Sequence, residues 1–153
     1  MKNIFITSII FIFFFAITHS QTLLINEFQA RNSTTLLDNY SEADDWIEIA
    51  NVSAQSIDLS GYYITDDYTD ITKFKFSGTG SSLVIPSGGF ILIWADKDLS
   101  QGSNHVNFKL NGDNGQIALI SPELNIVDSI AAVKTGPNDR PVKDVKMTIK
   151  VIE

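Results

Sequence analysis

The sequence predicts an all-β fold, an antiparallel β-sandwich built around a single core. Short apolar or alternating runs recur along the chain, separated by Gly, Asn, Asp, Ser and Pro, which is the pattern of strands and turns. No window carries the i, i+3, i+4, i+7 spacing of a long amphipathic helix. The chain has 153 residues and no cysteine, so the core must hold together without disulfides.

Residues 1–20 are predicted to be a signal peptide. Lys2 precedes an apolar run from Ile4 to Ile17, and this run is shorter than the roughly 20 residues that a membrane-spanning helix needs. Cleavage before Gln21 is expected, which places the protein outside the cell or in the cell envelope with no membrane span after cleavage. The alternative is an uncleaved anchor that holds the domain at a membrane surface.

Eight strands are predicted in chain order. They are Thr22–Phe28, Trp46–Ala50, Ile57–Thr65, Lys73–Phe76, Phe90–Ala95, Val106–Lys109, Gln116–Ser121 and Asn125–Ile130. In the second, Ile47 and Ile49 share one face and Glu48 lies on the other, which is typical of a strand with one buried side. The fifth is apolar at every position, which predicts a mid-sheet strand covered on both faces.

Glycine and polar residues indicate where the predicted strands bulge or reverse direction. The apolar parity changes between Ile57 and Ile64, and a bulge at Gly61 would return both to one face because an extra residue resets the alternation. Residues 111–115 and 122–125 are rich in turn-forming residues. We expect both segments to be reversals between neighbouring antiparallel strands.

The segment 134–153 differs in charge from the predicted domain at 21–133. It holds five Lys or Arg residues against three acids. Its alternating stretch Val145–Val151 predicts either an edge strand, with lysines that oppose aggregation, or a frayed tail. The pattern leaves both open.

The overall charge is acidic, with a formal value of −7 at pH 7. Such a surface repels the phosphate backbone that supplies most non-specific affinity for nucleic acid, so nucleic acid is excluded as the expected partner. The simplest role of the acidity is solubility.

The order of the motifs resembles a known family. The matching pieces are Ile25–Phe28, Asp45–Ile49, Ile57–Asp67, Phe74–Phe76, Ile85–Phe90, Trp94–Asp96, Asn107–Leu110 and Val127–Ile130. Together they resemble the lamin tail domain of secreted bacterial proteins, over about residues 22–130. The resemblance implies an immunoglobulin-like β-sandwich. From Ala131 onward the chain departs from the family pattern, so the last strand is expected to be replaced or missing, as in a truncated or divergent member.

No catalytic apparatus is visible in the sequence, so we expect no enzymatic activity. His105 is the one histidine after the predicted cleavage site, and neither a Gly-x-Ser-x-Gly elbow nor a phosphate-binding loop occurs. We interpret His105 as a solvated or hydrogen-bonded loop residue, because acid–base catalysis needs a positioned partner. Trp46 and Trp94 lie in apolar runs and are expected in a core or interface rather than in a sugar-binding row.

Carboxylates on two loops are the remaining candidates for a site. They are Asp38, Glu42, Asp44 and Asp45 before one strand, and Asp66, Asp67 and Asp70 after another. Ca²⁺ binds six to eight oxygens in irregular geometry, so either loop is a calcium candidate. The spacing does not match an EF-hand, and solvated carboxylates are the alternative. No other cofactor is expected.

The resemblance suggests a non-catalytic interaction or architectural domain, extracellular or in the cell envelope. Binding to protein or glycan is expected through loops or an exposed sheet edge on a rigid sandwich. One alternative is an accessory domain of a secreted hydrolase or nuclease whose catalytic part is absent from this chain. Another is a calcium-stabilised adhesion module.

Overall fold

The computed structural model describes residues 22–78, 80–113, 115–133 and 142–143. The strands in these residues are β1 (Leu23–Gln29), β2 (Asp45–Asn51), β3 (Ile57–Asp58), β4 (Tyr63–Thr65), β5 (Phe74–Lys75), β6 (Val84–Ile85), β7 (Phe90–Ala95), β8 (Gly115–Ile120), β9 (Ile126–Val133) and β10 (Val142–Lys143). A single turn of 3₁₀-helix spans Ser81–Leu83. Among the described residues, no helix is long and apolar enough to cross a lipid bilayer.

Two four-stranded antiparallel sheets form the sandwich. The first has the order β10-β1-β2-β7 and the second has the order β5-β4-β8-β9, while β3 and β6 form a separate two-stranded ladder. Ile47 pairs with Ile93 in the first sheet, and Ile64 pairs with Leu119 in the second. The predicted all-β, immunoglobulin-like antiparallel β-sandwich is therefore confirmed.

The core lies between the two sheets. Ile47 and Ile49 of β2 are fully buried, whereas Glu48 between them is only partly buried, as the alternation predicts. Ile64 and Ile117 of the other sheet belong to the same cluster of buried side chains. Full burial of an aliphatic side chain of this size contributes about 1.5–3 kcal/mol, so this layer is the main source of stability in a chain without disulfides.

A buried carboxylate joins the two sheets at β1. The register of β1 against β2 shifts between Ile25 and Glu27, which is the mark of a β-bulge. Ile25 N donates to Asp128 Oδ2 of β9 at 2.9 Å, and Ser129 N donates to Asp128 Oδ1 at 2.8 Å. The second sheet thus satisfies a backbone group of the first.

The predicted strand Ile57–Thr65 is wrong, because β3 and β4 belong to different ladders. Gly61 has the positive φ that the sequence suggested, 91°, but it lies in a turn rather than in a bulge. Tyr62 N donates to Leu59 O at 2.9 Å across this turn. The change in apolar parity marks the point where the chain passes from one sheet to the other.

The prediction that Phe90–Ala95 lies mid-sheet is also wrong. β7 is the terminal strand of its sheet, and Phe90 at its start is 63% exposed. Its second half is buried because the following chain folds back against its edge. Trp94 N donates to Asn104 O and Val106 N donates to Trp94 O, both at 2.8 Å.

The predicted strand Val106–Lys109 forms no continuous ladder. His105 makes an isolated bridge to Trp94 of β7, and Lys109 makes another to Asp96 just after β7. The reversal at 111–115 therefore does not join neighbouring strands, since β8 pairs with β4 and β9. The reversal at 122–125 does, because it connects β8 to β9.

Part of the C-terminal segment adds to the first sheet. In β10, Val142 pairs with Phe28 and Lys143 pairs with Glu27 of β1. The predicted edge strand Val145–Val151 and the predicted signal peptide at 1–20 lie outside the described residues.

Candidate functional site

The acidic residues singled out from the sequence are divided between two places. Asp45 at the start of β2 pairs with Ala95 at the end of β7, so the chain before β2 and the chain after β7 meet at one end of the sandwich. We call residues 30–44 and 96–110 together the loop end. Asp38, Glu42 and Asp44 lie there, whereas Asp66, Asp67 and Asp70 lie between β4 and β5.

Side-chain to backbone hydrogen bonds fix the 30–44 loop. The Asn32 side chain is buried, and its Nδ2 donates to Leu36 O at 2.6 Å and to Asp44 O at 2.9 Å. Asp38 Oδ1 accepts hydrogen bonds from Tyr40 N and Glu42 N, each at 2.8 Å. Short polar side chains therefore replace a regular ladder here.

His105 is held by Asp96 in the buried centre of the loop end. The Nδ1 and Oδ2 atoms are 2.5 Å apart, and both side chains are 3% exposed. Trp94 stacks on the imidazole at 6.4 Å between ring centroids, and Tyr40 meets it edge-on at 6.5 Å. The expected hydrogen-bonded loop histidine is confirmed, although it is buried rather than solvated.

Carboxylates from both loops converge around Asp38. Among the described residues, two groups of metal-capable donors have ligand atoms within 4.8 Å of one another. One comprises Asp38, Asp96 and His105, and the other comprises Asp38, Glu42 and Asp44. A cleft at the same place is lined by Glu42, Asp44 and Asp96 among others. Three of the seven predicted candidates are thus brought together.

Two buried oxygens at this place have no hydrogen-bond partner. Asp38 is 8% exposed, and its Oδ2 makes no hydrogen bond although Oδ1 makes two. Gln101 Oε1 is likewise buried and unpartnered, while Nε2 of the same amide donates to Glu42 Oε2 at 2.7 Å. Most buried polar atoms in folded proteins have a partner, so these two are exceptions that require an explanation.

Asp45 has a structural role instead. Its Oδ1 accepts from Arg31 N at 2.6 Å and its Oδ2 accepts from Leu110 N at 3.1 Å, so one carboxylate joins both loops to β2. Burial raises the pKa of Asp45 above its ordinary value of 3.8, and the two backbone N–H groups oppose that rise. Asp45 is absent from the metal-capable groups of the described residues.

The three acids between β4 and β5 are satisfied locally. Asp66 Oδ1 lies 2.7 Å from Lys73 Nζ, so an ion pair accounts for an oxygen without a conventional hydrogen bond. Asp67 Oδ1 accepts from the N and Oγ1 of Thr69 at 2.9 and 2.7 Å, and the Thr69 hydroxyl is the main reason that the pKa of Asp67 is lowered. Asp70 caps the next turn in the same way. None of these three acids belongs to the metal-capable groups found among the described residues.

Asp96 and Gln101 are members of the cluster that the sequence reasoning missed. Asp96 directly follows a strand, and a carboxylate at such a position was a usable signal. Its proximity to Asp38 depends on the pairing of β2 with β7, which one sequence does not reveal.

The predicted burial of both tryptophans is confirmed. Trp46 and Trp94 are directly paired across β2 and β7, and both are buried. Trp46 Nε1 donates to Gln29 Oε1 at 3.2 Å, which satisfies the indole N–H. Neither ring forms a sugar-stacking surface.

Comparison with known families agrees with the architecture. No curated protein sequence shows significant similarity to the chain. The sequence profile of the Lamin Tail Domain matches residues 17–134, which is well over half of the chain. This domain is a non-catalytic immunoglobulin-like fold that often serves as a protein-interaction module. With two antiparallel sheets and a match of this extent, the chain belongs to the lamin tail domain family.

Proposed function

We propose that this protein is a non-catalytic interaction domain, located outside the cell or in the cell envelope, that binds protein or glycan through the loop end. The family supports an interaction module. The apolar segment Ile4–Ile17 supports export.

The loop end is proposed as the binding surface because it exposes three large apolar side chains. Leu37 is 58% exposed, Tyr40 is 56% exposed and Leu99 is 54% exposed. They belong to the same two loops as the buried Asp38, Asp96 and His105. Exposed apolar groups beside a few fixed polar groups are typical of binding sites, and the surrounding hydrogen bonds reduce the entropy lost on binding.

The opposite end of the sandwich also exposes apolar side chains, including Val52 and Phe90. Val52 directly follows β2 and Phe90 starts β7, so they lie at the other ends of the strands that support the loop end. They provide a matched control with similar exposure.

The test is quantitative binding of the purified, labelled protein to intact cells and to isolated envelopes of the producing organism. We expect saturable binding that falls at least about tenfold in a Leu37→Ser, Tyr40→Ser, Leu99→Ser variant, since buried aromatic and aliphatic anchors dominate interfaces. A Val52→Ser, Phe90→Ser variant should bind as the wild type does. Equal losses in both variants, or no saturable binding, would contradict the proposal.

Treatment of the envelopes separates the two partner classes. Loss of binding after protease digestion indicates a protein partner, and loss after periodate oxidation indicates a glycan. Detection of the full-length protein by antibody in fractionated cells tests the location, and a purely cytosolic signal would contradict it.

A further inference from the structure

We propose that the loop end binds one Ca²⁺ ion through Asp38, Glu42, Asp44 and Asp96, and that the ion joins the 30–44 loop to the segment after β7. This site does not depend on the proposed partner. It selects three of the seven carboxylates suggested by the sequence and adds one that the sequence did not suggest.

The unpartnered Asp38 Oδ2 is the first argument. It belongs to a carboxylate that is more than nine-tenths buried, and its sister oxygen is held by Tyr40 N and Glu42 N. The two hydrogen bonds to Oδ1 therefore fix the carboxylate and leave Oδ2 available to a ligand. A buried anionic oxygen without a partner is costly, and a bound cation removes that cost.

The spacing of the donors is the second argument. The ligand atoms within each of the two groups around Asp38 lie within 4.8 Å of one another. Calcium–oxygen distances of roughly 2.3–2.6 Å place two ligands on opposite sides of one ion about 4.8 Å apart. Asp38, Glu42 and Asp44 are thus close enough to share one ion, and Asp96 has a ligand atom within the same distance of Asp38.

The donor chemistry is the third argument, and it favours Ca²⁺ over Zn²⁺. Four of the donors are carboxylates, and Gln101 Oε1 is a buried, unpartnered amide oxygen on the side chain that donates to Glu42. Hard oxygen donors in irregular geometry suit Ca²⁺, whereas Zn²⁺ prefers nitrogen and sulfur. His105 directs Nδ1 to Asp96, where it orients that carboxylate.

The local charge is the fourth argument. The cleft is lined by one cation, Lys109, and by the carboxylates of Glu42, Asp44, Asp96 and Asp98. Lys109 Nζ lies 3.3 Å from Asp44 Oδ1, and the Lys109 side chain is 56% exposed. A divalent ion would replace a weak surface ion pair with direct coordination.

The experiment uses the full-length protein after removal of metal by a chelator. Titration with CaCl₂ is followed by calorimetry and by the melting temperature, and MgCl₂ and ZnCl₂ are titrated separately. We expect saturable binding of one Ca²⁺ and a rising melting temperature, with a dissociation constant in the micromolar-to-millimolar range. No heat and no change in melting temperature up to about 10 mM Ca²⁺, or binding of Zn²⁺ alone, would overturn the proposal.

Four variants make the assignment specific. Asp38→Asn keeps an oxygen for the two backbone N–H groups, and Glu42→Gln changes an exposed side chain; each should weaken Ca²⁺ binding at least about tenfold. Lys109→Gln should strengthen binding, a result that misfolding cannot imitate. Asp67→Asn, Asp70→Asn should bind as the wild type does. Unchanged affinity in Glu42→Gln and Lys109→Gln, or equal loss in the double variant, would refute the site.

Discussion

The loop before β2 and the loop before β5 are both rich in aspartate, but their carboxylates are satisfied in different ways. Asp67 and Asp70 accept hydrogen bonds from the threonine two residues later, within one turn of the chain. In the loop before β2, Asp38 Oδ1 also accepts hydrogen bonds from its own loop, but the buried Oδ2 has no partner. Asp96, in the segment after β7, has a ligand atom within 4.8 Å of Asp38. The carboxylates before β5 are thus satisfied within their own loop, whereas Asp38 keeps an unpartnered oxygen near a carboxylate of another segment.

This difference shows why acidic composition is a weak guide to a site. An exposed carboxylate that caps its own turn has no oxygen that needs a further partner. A carboxylate buried by packing against a second loop keeps oxygens that local structure cannot reach. Asp38 Oδ2 is such an oxygen, and the loop end is therefore where ligand chemistry is expected.

The largest expected effect comes from Asp96→Ala. This change leaves His105 Nδ1 buried without its partner, so we expect the free energy of unfolding to fall by about 2–3 kcal/mol. The matched control is Asp66→Ala, which breaks the partly exposed pair with Lys73 and should cost about 0–1 kcal/mol. Urea denaturation in the presence of a chelator measures both, and equal losses would remove the contrast between the loops.

A smaller effect is expected in the pH dependence of Asp45→Asn. The folded protein holds the Asp45 proton more tightly than the unfolded chain does, because burial raises its pKa above 3.8. Stability from this group is therefore present at low pH and is lost as the pH rises through the folded pKa. The stability advantage of the wild type over Asp45→Asn should therefore shrink as the pH rises through the folded pKa. Denaturation curves at several pH values measure it, and a growing advantage would contradict the burial argument.

The smallest effect is expected for Asp67→Asn. Its stability difference from the wild type should change with pH in the opposite direction to that of Asp45→Asn. Hydrogen bonds from Thr69 lower the pKa of Asp67, so its contribution is present above 3.8 and is lost as the pH falls through the folded pKa. The wild type should lose its slight advantage over Asp67→Asn in acid. Because Asp67 is exposed, melting temperatures at low and high salt provide the check, and an advantage that persists in acid would refute the hydrogen-bond explanation.

The sequence predicted the principal strands because each has side chains that must face the core. Ile47 and Ile49 of β2 lie in the core as their alternation required. Alternation alone did not distinguish a bulge at Gly61 from a turn between two sheets, since both reset the parity by one residue. It also did not reveal that the apolar β7 is a terminal strand with Phe90 exposed, because apolar content does not show which strands are neighbours.

The candidate site was predictable only in part for a related reason. Asp38, Glu42 and Asp44 are close in sequence and were recognisable as a group. Asp96 lies more than fifty residues away, and it joins them because β2 and β7 pair in one particular register. Such pairing is set by packing across the whole sheet.

Two features cover the outer edge of β1. The Asp128 carboxylate accepts a hydrogen bond from Ile25 N at the bulge, and β10 pairs with Glu27 and Phe28. Among the described residues, detachment of Val142 and Lys143 would leave Phe28 and Glu27 of β1 without strand partners on that side. An unpaired strand edge can accept a strand from another chain, so this pairing protects the first sheet against edge-to-edge association.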